Sequence, residues 1–334
     1  MHLLAFVAAA VRTFRVGAAT FARLPLFTLV LLVPLAPLAP LAQDRPAGPT
    51  FDGPRAFEHI RRLVATGPRP SGSPAIERAR RYLAAEWSAL GLPVTEQPFD
   101  AMTPVGRIPM VNLIATIPGD RAERILITGH YDTKRLPGVR FVGANDGGSS
   151  AAFLLEIARV LKARKHAFTY ELVLFDGEEA TIEWAGTDHT YGSRYYVDEA
   201  RRTGRLASIR ANILVDMIAD RDLRIRRDDN STPWLVDLIW SAARRSRFRD
   251  HFLEESTRIE DDHLPFLDAG IPSVDIIDLD YPAWHTADDT LEAVDAASLE
   301  AVGEVLLAAL PAIESRLLSG RPPPAASASP SRPR

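Results

Sequence analysis

The chain contains no cysteine among its 334 residues. A disulfide framework, a thiolate metal site and a cysteine nucleophile are therefore all excluded. Positive charge is also in short supply. The 39 Lys and Arg against 43 Asp and Glu leave a formal net charge of -4, which argues against a nucleic-acid partner. No internal repeat is present, and no low-complexity linker divides the central part of the sequence. With 46% hydrophobic and 25% charged residues, the economical expectation is one catalytic-size domain over residues 51–319.

The two ends differ from this middle. Residues 1–42 hold Arg12, Arg15 and Arg23, no acidic residue, and an apolar, Pro-punctuated run from Leu24 to Ala42. The pattern predicts a signal peptide with cleavage after Ala42, although Pro40 is atypical for such a site. An uncleaved N-terminal membrane anchor is the alternative. Either way the expected location is secreted or periplasmic, with no stable membrane partner unless the segment is retained. Residues 43–50 read as a polar linker. Residues 320–334, rich in Pro, Ser and Ala, read as a disordered tail.

Between the ends, strand-like and helix-like patterns alternate. Val94–Phe99, Met110–Ile117, Arg124–Thr128, Tyr170–Phe175, Ile209–Met217 and Ser273–Ile277 have strand character. Phe57–Ala65, Pro74–Leu90, Gly147–Leu161, Tyr191–Arg202, Trp234–Arg245 and Ala296–Leu317 have helical period. Such alternation predicts a single-domain α/β fold: a mixed, mostly parallel central sheet with helices on both faces.

In open sheets of this type chemistry gathers at the carboxyl ends of the strands. Five polar segments lie there: Gly129-His130-Tyr131-Asp132, Asn145-Asp146-Gly147, Glu178-Glu179, Asp216, and Trp284-His285-Thr286. Each has an ordinary explanation on its own. His130 could be a hydrogen-bonded histidine, Asp146 a helix cap, Asp216 a turn residue and Trp284 a packing residue. Together, imidazoles and carboxylates without thiolates suit a catalytic zinc that keeps an open position. Adjacent glutamates at a strand end can divide labour, one on the metal and one on a proton.

The order of these segments resembles the secreted zinc aminopeptidase family. Gly67-Pro68-Arg69-Pro70-Ser71-Gly72-Ser73 is similar to that family's opening segment. Within it, Phe175-Asp176-Gly177-Glu178-Glu179-Ala180, Trp184, Tyr191-Gly192-Ser193-Arg194, Ile259 to Phe266, and Trp284 to Asp289 resemble the animal-type glutaminyl cyclases, or glutaminyl-peptide cyclotransferases. The chain departs from those enzymes in lacking their cysteines and in the residues flanking Asp146. The resemblance implies one zinc ion held by Asp146, Glu179 and His285, with Glu178 shuttling the proton. It also implies Asp216 and Asp261 as an acidic chain beside Glu178, and Trp184 and Trp284 as walls of the substrate pocket. The implied substrates are peptides or proteins with N-terminal glutamine, and the expected enzyme is a monomer. The alternative within the same family is a two-zinc aminopeptidase, in which His130 and Asp216 complete a second metal site. A third reading is a non-catalytic binding domain, but no ligand-type residue is missing.

Overall fold

The computed structural model describes residues 48–320. The expected signal or anchor at 1–42, most of the 43–50 linker and the tail beyond Gly320 lie outside the described residues.

Two helices open the fold. Helix α1, Gly53–Ala65, begins where the Asp52 carboxylate accepts the Arg55 N–H, and Pro sits in its first turn. That cap and Pro54 start the helix before the apolar period that predicted Phe57. Helix α2, Pro74–Ala89, is capped in the same way by Ser73. A hairpin follows, β1 (Val94–Thr103) and β2 (Gly106–Ile117), then β3 (Arg121–His130), α3 (Gly148–Lys162), β4 (Phe168–Phe175), α4 (Tyr191–Arg202) and β5 (Ile209–Asp216). The chain continues through β6 (Ile225–Asp228), α5 (Pro233–Arg244), β7 (Phe252–Thr257), the short α6 (Leu264–Asp268), β8 (Ser273–Ile277) and α7 (Ala296–Leu318).

The main sheet has the order β1-β2-β4-β3-β5-β8. Its β4, β3, β5 and β8 pair in parallel, whereas β1–β2 and β2–β4 are antiparallel. The expected mixed, mostly parallel sheet is thus what the chain forms. The central strands are buried on both faces, which is why β4 reads Phe-Thr-Tyr-Glu-Leu-Val-Leu-Phe with almost no alternation. One face packs against a large core fed by α1, α2, α3, α5 and α7, with Trp87, Phe153, Leu172, Trp240 and Leu306 buried in it. The other face packs against α4 and α6 through Tyr196, Val197 and Phe266. Burying each such side chain contributes about 1.5–3 kcal/mol. Helix α7 is apolar and long enough to cross a membrane, but its Leu299, Val302, Leu306, Leu310 and Ile313 are buried in the larger core.

Three elements escape the sequence pattern, the five-residue α6 and two strands. Strands β6 and β7 pair as a separate two-stranded parallel sheet. Their sequences, Ile-Arg-Arg-Asp and Phe-Leu-Glu-Glu-Ser-Thr, are charged and hold too few apolar residues to show a period.

The topology fixes where a site can form. From β3 the chain crosses through α3 to β4 on one side, then through α4 back to β5 on the other. The connection reverses between β3 and β5, and a crevice opens beyond their carboxyl ends. His130 ends β3 and Asp216 ends β5.

Candidate active site

The sequence-predicted residues converge at that crevice. His130 Nε2 lies 3.1 Å from Asp216 Oδ1 and 3.3 Å from Asp146 Oδ1, and its Nδ1 lies 3.4 Å from Asp132 and 3.6 Å from Glu178. His285 Nε2 lies 3.2 Å from Glu179 Oε1 and 3.3 Å from Asp146 Oδ2. A cavity of about 480 Å³ opens over them, lined by Asp146, Glu178, Glu179, Asp216, Asp261 and His285 and walled by Trp184 and Trp284. Trp284 is 44% exposed and leans on His285, ring centroids 4.5 Å apart.

Local backbone geometry explains how strand-end residues reach this point. Gly147 adopts φ +74°, and a β-carbon there would meet the Asp132 carbonyl at 2.3 Å. Only glycine therefore lets the Asp146 segment lie against the end of β3. His285 and Met217 hold left-handed backbone at φ 53° and 44° without being glycine. Such conformations cost energy and concentrate at functional positions. The Met217 turn is held by Asn145, whose side-chain amide donates to Met217 O at 3.3 Å and accepts from Ala219 N at 2.8 Å.

Supporting side chains that sequence reasoning did not single out complete the frame. Asp132 accepts the backbone N–H groups of Glu178 (3.2 Å) and Glu179 (3.4 Å), setting both glutamates from β3. Asp289 accepts those of Asn145 (2.8 Å) and Asp146 (3.1 Å) and is itself held by the Tyr281 hydroxyl at 2.8 Å. Arg69 is fully buried and donates to Tyr131 O, Val142 O and Gly143 O, tying the opening segment to the Asp146 loop. Lys134 Nζ sits 3.3 Å from Glu179 Oε2. Asp132, Asp289 and Arg69 all fall inside the motifs. Most of their partners are backbone atoms, which no residue pattern displays.

The electrostatics is that of a crowded acidic pocket. Burial pushes the Glu178 carboxyl well above its usual range; His130 opposes the shift, while Glu179 and Asp261 add to it. Asp261 is raised well above the usual range by burial and by Asp216 and Asp262. Burial works against ionised Asp146 as well, yet His130 and His285 hold it below the carboxylate range.

Asp146, Glu179 and His285 each present a donor atom within 4.8 Å of the others, and so do His130, Asp146 and Asp216. The buried Asp146 Oδ2 has no hydrogen-bond partner. It meets His285 Nε2 at 3.3 Å, and two carboxylates and one imidazole so placed are the donor set of a catalytic zinc with an open position. The residues present therefore fit a divalent metal.

A mixed sheet carrying such a centre at its parallel strand ends is the build of a metal-dependent exopeptidase-like enzyme, and the chain belongs to peptidase family M28, whose pattern matches residues 112–310. Its relatives place it in the glutaminyl cyclase branch. It is 30% identical over 260 residues to the glutaminyl-peptide cyclotransferase of Drosophila melanogaster, covering 70% of this chain and 73% of that one. The solved structure of a glutaminyl cyclase from an Acidobacteriales bacterium superposes with a TM-score of 0.78 at 38% identity, over 84% of this chain and all of that one. A leucine aminopeptidase precursor from Bacteroides thetaiotaomicron is also similar, with a TM-score of 0.72 at 27% identity, over 78% of this chain and 97% of that one.

Proposed function

We propose that the protein is a zinc-dependent glutaminyl-peptide cyclotransferase, converting the N-terminal glutamine of peptides and proteins to pyroglutamate with release of ammonia. The observation that carries this reading is the union, in one cavity, of the Asp146–Glu179–His285 donors, Glu178 and two tryptophan walls. Glutaminyl cyclase relatives support it.

In this reading Asp146, Glu179 and His285 hold one zinc ion, which supplies Lewis-acid polarisation of the side-chain amide oxygen. Trp184 and Trp284 pack against the glutamine side chain and press its α-amine and amide carbon together, an orientation effect. The α-nitrogen bonds to the side-chain carbonyl carbon, and the bond from that carbon to the amide nitrogen breaks. Glu178 takes the proton from the attacking amine and returns it to the departing ammonia, so the exchange balances without an activated water. Burial equips it for both directions, because a carboxyl with raised pKa is a better base and remains a usable acid near neutral pH. Asp216 and Asp261 form the acidic chain beside it. The same reading makes residues 51–319 the catalytic domain of an exported monomer, secreted or periplasmic, with residues 1–42 as its signal or anchor.

A two-zinc aminopeptidase is the second reading, favoured by the other donor set, His130, Asp146 and Asp216. There Glu178 would activate water. Incubation with one peptide beginning in Gln and another beginning in Leu separates the two by mass spectrometry. Loss of ammonia from the first, with the second intact, is the expected result. Release of free leucine would overturn it.

A further inference from the structure

The loop between β4 and α4 is held far more firmly than its exposure suggests. Its far end returns to its start, with Thr190 N–H donating to Glu178 O and Tyr191 N–H to Gly177 O, both at 2.7 Å. The Asp188 carboxylate accepts the backbone N–H groups of Thr181, Ile182 and Glu183 and the hydroxyls of Thr181 and Tyr191, at 2.7–3.1 Å. Arg194 donates to the carbonyls of Thr187, His189 and Thr190. Thr190 is forced into left-handed backbone at φ 49°.

These bonds fix the frame of the loop but do not touch the indole of Trp184. His189 does. Its imidazole lies parallel to the indole, ring centroids 4.2 Å apart at 11°, on the same loop. The imidazole is itself steered by Thr190, whose Oγ1 sits 3.1 Å from Nδ1. Burial, reinforced by Arg194, keeps its pKa below the ordinary histidine value, which favours the neutral ring. A flat neutral ring on an indole is an offset stack that a flexible side chain could not replace.

We propose that His189 is a positioning residue for substrate, holding Trp184 as a preformed wall of the glutamine pocket. The proposal rests on the cyclase reading for what the wall contacts, but not for the stack itself. Because the frame is tied by Asp188 and Arg194, loss of the stack frees the indole without unfolding the loop. The ordering cost then falls on substrate binding.

Three enzymes, each with a Trp184→Phe reference in the same background, test this: the full chain, His189→Ala and His189→Phe. With a Gln-initiated peptide, His189→Ala should raise KM about three- to tenfold while kcat stays within about twofold, and His189→Phe should restore KM. Acrylamide quenching of the Trp184 emission, taken as the difference from Trp184→Phe, should increase in His189→Ala and return in His189→Phe. Unchanged KM and quenching in His189→Ala would overturn the proposal. So would equal KM losses in the Ala and Phe variants, since the ring would then not be what matters. A full chain that forms no pyroglutamate would sink the cyclase reading, while quenching would still decide the stack.

Discussion

The two donor sets that share Asp146 are nearly the same in chemistry and differ in access chiefly at the histidine. Asp146, Glu179 and His285 face the cavity, and the His285 side chain is 24% exposed. In the other set Asp216 also lines the cavity, but His130 lies beneath it, only 1% exposed. Both ring nitrogens of His130 already face carboxylates, Asp216 and Asp146 on one side and Asp132 on the other. His285 meets Glu179 and Asp146 through one ring nitrogen, Nε2, so carboxylates enclose His130 more fully than His285. Ligand type alone does not tell the two apart. The depth of the histidine does, and it favours the set with His285, the shallow one, as the proposed zinc site and the set with His130, the deep one, as its support.

Single substitutions can break this comparison, the largest expected effect first. His285→Ala should abolish both tight zinc binding and turnover, measured by elemental analysis and by ammonia release. Glu178→Gln should keep zinc and fold yet lose about 10²–10⁴ in kcat, because only the proton transfer is removed. Survival of activity would remove Glu178 from its role. His130→Ala should retain one equivalent of zinc, but it should lower unfolding stability by about 3–5 kcal/mol, since buried carboxylates lose their partner. Loss of all zinc in that variant would erase the distinction between the sets. Lys134→Met should weaken zinc affinity about tenfold by freeing the Glu179 oxygen that faces Lys134.

The smallest effect concerns the wall behind the cavity. Asp278 accepts the backbone N–H groups of Arg224 and Asp280 in a buried setting, and burial raises its pKa to about 7. A carboxyl whose folded pKa exceeds its unfolded value stabilises below the unfolded value, near 3.8, and that stability is lost as pH rises through 7. The Tm of Asp278→Asn should therefore fall less between pH 5 and pH 9 than that of the unmodified chain. Parallel Tm curves would show that Asp278 does not titrate there.

Much of this was legible in the residues. Apolar runs marked β4, β5, β8 and the end of β3, because a strand buried on both faces needs continuous Val, Ile, Leu and Phe, whereas β1 is a largely exposed edge strand with a weaker pattern. The proposed metal donors, Glu178 and Asp216 sit in the strand-end motifs, Asp261 in a segment marked by the family resemblance, and the fold brings them together. Strands β6 and β7 were not legible, since their charged side chains lie where no large apolar face demands a pattern. Nor were the tasks of Asp132 and Asp289, whose contacts are with backbone N–H groups that only folding brings near. The stack of His189 on Trp184 depends on the left-handed turn at Thr190, and a threonine gives no sequence signal for that conformation.

The central claim, that the shallow set alone carries the chemistry, is met most directly by adding zinc stepwise to metal-stripped protein while recording pyroglutamate formation. The rate should reach its full value at one zinc per chain and stay flat beyond it. A rate that keeps climbing to the second equivalent would contradict the account and bring the deep set into the reaction.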